Sequence, residues 1–192
     1  MTANHSDDPA FDTDLMIDNA DGLRSIAEKI DREGEAALDQ SDMREFLGSF
    51  QAAPVLWALG IEIALKAWIY RETNCKRPRG HDLLCLFERL DWKTQELLED
   101  AWQRGRGTGT ADDPIRELAM PKRIQEAKTF KDLICPWPSH LSEVLEEHRM
   151  VFVNWRYMHE DPREQPNPGV LDKVLTVLID TYRNTSRTDW DL

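Results

Sequence analysis

Residues Val55 to Tyr70 read VLWALGIEIALKAWIY and form the longest apolar run in the chain. Two charged residues, Glu62 and Lys66, interrupt the run, whereas a membrane-spanning helix needs roughly 20 residues with few or no charges. We therefore interpret it as a buried helix at the centre of the fold. Glu62 precedes Lys66 by four residues, which is the favourable order for an ion pair within one helix. Because a mostly buried helix has few other places for a charge, either side chain could instead reach the charged residues of a later helix.

Apolar residues recur at helical spacing on both sides of this run. The central helix is expected from about Ala52 to Thr73, and the other predicted helices begin near Asp21 and Ser41 and span His81 to Leu90, Thr94 to Trp102, Ser139 to Glu160 and Val170 to about Asn184. Strand-like alternation is absent. The sequence therefore predicts an all-α fold, an up-and-down bundle of four to five main helices with extra N-terminal helices. Residues 1–18 are polar and acidic and are expected to be disordered; residues 19–185 would form a single domain, followed by a tail at 186–192.

The predicted helix from Ser139 ends in FVNWRYMHE, residues 152–160. At about 100° per residue, Arg149, Arg156 and Glu160 fall within about 40° of one another on this helix, with His159 beside them. Charges on an otherwise apolar helix need partners, so the stripe predicts either a buried polar network with the central helix or a site that faces phosphate. In the second interpretation the Arg156 guanidinium would hold a scissile phosphate, and the His159 imidazole would transfer a proton.

Composition narrows the classes of function. The net charge of −12 opposes strong non-specific attraction to nucleic acid, although the protein could still contain a small local basic site. The three cysteines form no CxxC pattern and no Cys/His ligand spacing, so neither a disulfide framework, a metal site nor a cofactor is predicted. The N-terminus has no positively charged segment followed by an apolar one, so no secretory signal is predicted. A cytoplasmic protein is expected.

Two smaller features carry open alternatives. Lys76, Arg77 and Arg79 form a local basic patch that either contacts a phosphate backbone or is simply solvated at the surface. His81 follows Gly80 at the start of a predicted helix. It is either a site residue or a residue that packs where the helix begins.

Three pieces of the chain together resemble the HEPN superfamily, small helical domains of prokaryotic toxin–antitoxin and antiviral defence systems. The first is the apolar helix with E-x-x-x-K (Glu62, Lys66), and the second is G-H-D-L-L-x-L from Gly80 to Leu86. The third is FVNWRYMHE at 152–160, followed by one last helix. The resemblance covers roughly residues 50–185.

The resemblance implies a helical bundle that forms a homodimer and binds RNA or a cognate protein. Aromatic residues are also more numerous than a small bundle readily buries, which favours a dimer; they are Trp57, Trp68, Phe152, Trp155 and Tyr157. Active members resemble metal-independent ribonucleases that use R-x(4–6)-H on the late helix. Here only two residues separate Arg156 from His159. We therefore expect a non-catalytic interaction and dimerisation module, and the alternative is a metal-independent endoribonuclease using Arg156 and His159.

Overall fold

The computed structural model describes residues 12–73, 78–107, 138–151 and 168–185. Within these ranges the protein is helical and contains no β-strand, which confirms the predicted all-α class. The helices are α1 (Thr13–Asp39), α2 (Met43–Thr73), α3 (Leu83–Phe87), α4 (Trp92–Gly107), α5 (Leu141–Glu147) and α6 (Pro168–Asn184).

Helices α1 and α2 form a long antiparallel hairpin. Asp12 caps α1, since its carboxylate accepts hydrogen bonds from the amides of Asp14 and Leu15. At the other end Ser41 adopts a left-handed conformation (φ 63°), and the amide of Asp42 donates to the carbonyl of Ala37, so the chain reverses in three residues. The helix begins at Thr13, inside the stretch expected to be disordered, because this cap and the buried side chain of Ile17 stabilise its first turns.

Helix α2 is continuous from Met43 to Thr73, so the prediction of two separate helices in this region is wrong. The residue that favours a break is Pro54, which lacks an amide hydrogen and costs about 3 kcal/mol in a helix interior. Pro54 is buried, and packing of α2 against α1 offsets this cost. Among the described residues α2 is the one helix long and apolar enough to cross a membrane, and most of its apolar window is buried inside the protein.

Helix α6 completes the core against α2. Its predicted apolar face is buried as expected, and comprises Leu171, Val174, Leu175, Leu178, Ile179 and Tyr182. The Trp68 indole donates a hydrogen bond of 3.2 Å to the Leu178 carbonyl and meets the Tyr182 ring edge-on, with ring centroids 5.2 Å apart. Gly60 lets the helices approach closely, because a Cβ there would lie 2.6 Å from Leu175 Cδ2.

Helix α4 fixes the start of α5. The Glu99 carboxylate accepts hydrogen bonds of 2.7 and 3.0 Å from the first amides of α5, those of Leu141 and Ser142. The Trp102 indole donates to the Pro138 carbonyl at 3.2 Å. An acidic side chain at a helix N-terminus satisfies amides that have no partner within the helix. Because Glu99 lies on α4, this capping fixes α5 relative to the rest of the bundle.

Helix α5 ends at Glu147 and residues 148–150 form a turn, so the helix predicted from Ser139 does not run unbroken through Arg149. His148 is buried, and both its backbone amide and its Nδ1 atom donate to the Val144 carbonyl, at 3.0 and 2.9 Å. The stripe that was to place Arg149 beside Arg156 and Glu160 therefore does not extend as a regular helix through Arg149. Residues 152–160 lie outside the described residues.

Candidate functional site

The Glu62 carboxylate on α2 binds the side chains of Lys66 and His81. Glu62 is 5% exposed, and its Oε1 atom accepts a hydrogen bond of 2.6 Å from Lys66 Nζ. His81, in the segment that leads into α3, brings its Nδ1 atom to 3.1 and 3.0 Å from the two carboxylate oxygens. Because an ionised carboxylate only accepts hydrogen bonds, Nδ1 carries the proton in this contact. The His81 side chain is 58% exposed, so a buried acid orients an imidazole at the surface.

The next residue, Asp82, connects α3 to the turn that follows α5. Its Oδ1 atom accepts the Cys85 amide at 3.0 Å and so caps α3. Its Oδ2 atom accepts two hydrogen bonds from Arg149, from Nε at 3.0 Å and from Nη2 at 2.7 Å. The Leu83 amide donates to the Arg149 carbonyl at 3.1 Å, so side chain and backbone both join the two segments. Arg149 Nη1 also lies 3.2 Å from Glu146 Oε1.

These contacts define the polar cluster, which consists of Glu62, Lys66, His81, Asp82 and Arg149. Gly80 directs the chain into the cluster, because its φ of +107° is a backbone conformation that residues with a side chain rarely adopt. The next two residues point in different directions. His81 contacts Glu62, and Asp82 contacts Arg149. The pair of Glu62 with His81 and the pair of Asp82 with Arg149 are therefore neighbours, because His81 and Asp82 are consecutive residues.

The charges within the cluster alter its acid–base properties. Partial burial acts to raise the pKa of Asp82, but the Arg149 guanidinium and the Cys85 amide outweigh it and hold the pKa below its usual value. The hydrogen bond to Asp82, with the charges of Asp82 and Glu146, raises the pKa of Arg149 further above its ordinary value. Asp82 and Arg149 therefore both carry full charge throughout the neutral range.

The cluster contains part of the predicted site. Glu62 and Lys66 form the intrahelical pair expected from their spacing, and Glu62 also binds His81. Arg149 binds Asp82 and Glu146 rather than the central helix. The His81 ring is exposed and pairs with Glu62, and its assignment as a site residue stays a prediction.

Arg156, His159 and Glu160 lie outside the described residues, as do Lys76 and Arg77. Among the described residues no group of three His, Cys, Asp or Glu side chains could hold a metal ion. Cys85, the one cysteine among the described residues, is an exposed free thiol whose pKa is raised by partial desolvation and by the neighbouring Asp82.

The sequence did not identify Asp82 as the partner of Arg149. Asp82 is the N-cap of α3, whereas the predicted helix was to begin at His81 and so placed Asp82 in its first turn. The pairing with Arg149 leaves no local signal because the two residues are 67 positions apart. The chain matches no family model, no curated protein and no solved structure.

Proposed function

We propose that this protein is a HEPN-like helical module of a prokaryotic defence or toxin–antitoxin system, acting in the cytoplasm through binding and dimerisation rather than catalysis. The observation that carries the proposal is that the charged side chains of the polar cluster form ion pairs with other side chains of the protein. The Arg149 guanidinium is engaged by the carboxylates of Asp82 and Glu146, and Glu62 is engaged by Lys66 and His81. Arg149, already held by two carboxylates, is poorly placed to hold a phosphate as well. Arg156, the phosphate-binding residue of the ribonuclease alternative, lies outside the described residues.

The resemblance gains support from the way its pieces meet. The E-x-x-x-K motif of α2 and the G-H-D-L-L motif before α3 are joined by the contact between Glu62 and His81. Two motifs that are 19 residues apart in sequence therefore act as one structural unit. This contact joins α2 to the segment that leads into α3.

Dimerisation is the testable part of this proposal. Trp57 and Trp68 are buried in the core of the single chain, so they do not contribute surface to a dimer. The expectation therefore depends on Phe152, Trp155 and Tyr157. Light scattering at micromolar concentration should give twice the chain mass of 22.3 kDa. Trp155→Ala should shift the protein toward monomer, and Trp92→Ala, which removes an indole that is 65% exposed on α4, should not. A wild-type protein of single-chain mass would contradict the proposal.

A second candidate function is a metal-independent endoribonuclease, and the contact between His81 and Glu62 favours it. A carboxylate that fixes the imidazole tautomer is a common arrangement for a general acid or base. In this alternative Arg156 binds the phosphate of RNA, and His159 and His81 together act as the general base and the general acid.

The test is cleavage of a labelled RNA in the presence of EDTA. His159→Ala and His81→Ala should each abolish cleavage, whereas His140→Ala, which removes another exposed histidine near a glutamate, should leave it unchanged. If the wild-type protein cleaves no RNA and its expression is harmless to cells, the ribonuclease alternative fails and the binding module stands.

A further inference from the structure

The tip of the α1–α2 hairpin extends beyond the core of the protein. We name residues 34–52 the arm. The contiguous core cluster includes Ala27 on α1 and Ala53 on α2 but no residue of the arm. Inside the arm the two helices contact each other, since a Cβ on Gly34 would lie 2.6 Å from the Cβ of Ser49. Phe46 is buried between them and stacks on Phe50, with ring centroids 5.8 Å apart.

The extent of the arm follows from the alignment of α2 and α6. These helices run parallel, because Gly60 meets Leu175 and Trp68 meets Leu178 and then Tyr182. Helix α2 begins 17 residues before Gly60, whereas α6 begins seven residues before Leu175. At 1.5 Å per residue, the ten-residue difference carries α2 about 15 Å beyond the start of α6.

One side of the arm presents an apolar stripe. Met43 and Leu47 are 42% and 50% exposed, and Phe50 is partly buried. These residues occupy positions i, i+4 and i+7, so they lie in one row along α2. This is the spacing with which a helix presents anchors to another helix. Methionine suits such a surface because its flexible side chain adapts to different partners.

The arm is also acidic. It contains four carboxylates and one guanidinium, which are Glu35, Asp39, Asp42, Glu45 and Arg44. Asp39 is the last residue of α1, and the last turn of that helix contains no basic residue. Asp42 caps α2 at the same tip, so both carboxylates lie where the two helices meet, and the arm carries a formal charge of −3.

We propose that the arm is a docking site for a basic amphipathic helix of a partner protein, which would lay its apolar face on Met43, Leu47 and Phe50. Charge decides the choice of occupant. A second copy of this chain would bring two acidic tips together within a protein of net charge −12, and like charges in contact disfavour that pairing. A basic helix instead gains from the acidic surface and covers the stripe. The proposal is independent of the dimer and of any ribonuclease activity.

The experiment uses the full chain and a labelled synthetic helix of leucine and lysine, with a leucine–glutamate helix as its counterpart. Fluorescence anisotropy should detect binding of the Leu/Lys helix, weakened by added salt. Replacing both anchors (Met43→Ser with Leu47→Ser) should weaken binding about tenfold or more. Leu15→Ser is the matched control, since Leu15 is 56% exposed on α1 outside the arm, and it should leave binding unchanged.

A second pair of variants distinguishes the effect of the carboxylates of the arm from the effect of the protein's overall negative charge. Glu35→Gln, Asp39→Asn and Glu45→Gln together should weaken binding more than the triple variant Glu96→Gln, Asp100→Asn and Glu147→Gln, which removes three exposed carboxylates elsewhere. Hydrogen exchange should show protection of arm amides on binding. Equal binding of the Leu/Glu helix, equal effects of the two triple variants, or protection confined to other helices would overturn the proposal. A wild-type dimer that the anchor variant converts to monomer would also overturn it, because the occupant would then be a second copy.

Discussion

Arg149 Nη2 lies 2.7 Å from Asp82 Oδ2, and this ion pair joins segments that are 67 residues apart. Asp82 serves two structures at once, because its other oxygen caps α3. Its substitution therefore has two separable effects, loss of the cap and loss of the charge.

The first prediction concerns this double role. Asp82→Asn retains a good capping residue but removes the charge, whereas Asp82→Ala removes both, and loss of the cap costs about 1 kcal/mol. We expect chemical denaturation to rank stability as wild type, then Asp82→Asn, then Asp82→Ala. Arg149→Ala should lower stability in the wild type and change it much less in the Asp82→Asn background. Equal effects of Arg149→Ala in the two backgrounds would show that the pair contributes nothing.

The second prediction concerns the buried carboxylate of α2. Glu62→Ala leaves Lys66 without its partner in a mostly buried position, and we expect a loss of about 3 kcal/mol in the free energy of unfolding. Lys29 and Glu33 on α1 form an i,i+4 pair at the surface, with Glu33 54% exposed. Glu33→Ala should therefore change stability by less than about 0.5 kcal/mol. Similar losses in the two variants, measured by denaturant titration, would mean that Glu62 behaves as a surface residue.

The third prediction concerns the contact between α2 and α6. Gly60→Ala places a methyl group 2.6 Å from Leu175 Cδ2 and 3.3 Å from the Ala20 carbonyl, so we expect a loss of about 1–3 kcal/mol. Gly22 lies within α1 with nothing within 4 Å of the added Cβ position. Gly22→Ala should instead stabilise the protein by about 0.5–1 kcal/mol. Thermal melts of both variants check the opposite signs, and a Gly60→Ala variant as stable as wild type would contradict the packing described for this junction.

The fourth prediction concerns pH. Burial and the nearby Glu28 carboxylate raise the pKa of Asp172 on α6. The folded state therefore holds this proton more tightly than the unfolded state. Stability falls as the pH rises from the ordinary aspartate range through the raised pKa, and the loss is complete above it.

Asp172→Asn removes this penalty, so the variant should melt above wild type at pH 7, and each 1 kcal/mol regained would raise the melting temperature by about 2–4 °C. The difference should vanish near pH 3, where Asp172 is protonated in both states. Asp180→Asn, an exposed position on the same helix, is the control and should not change the melting temperature. A gain that is the same at both pH values would show that ionisation of Asp172 is not its cause.

The sequence predicts best what depends on neighbouring residues. The buried face of α6 follows from helical periodicity alone, and the pair of Glu62 and Lys66 follows from their spacing. The partner of Arg149 could not be predicted in this way, because placing Arg149 on the same stripe as Arg156 assumed a helix that continues past Glu147. Helix α5 ends at Glu147, where the Arg149 amide donates to the Glu146 carbonyl three residues back and the chain turns, and the composition around it gives no sign of this.

The position of α6 also has a consequence for synthesis of the chain. Helices α1 and α2 are joined by a short turn and can pair as soon as both have formed. The face of α2 that carries Trp68 nevertheless stays uncovered until Leu175 and Leu178, more than a hundred residues later, have left the ribosome. Ribosome-bound chains that end before Pro168 should therefore bind an apolar dye, whereas the released protein should not. The most apolar helix of the protein therefore stays partly uncovered until α6 has been synthesised.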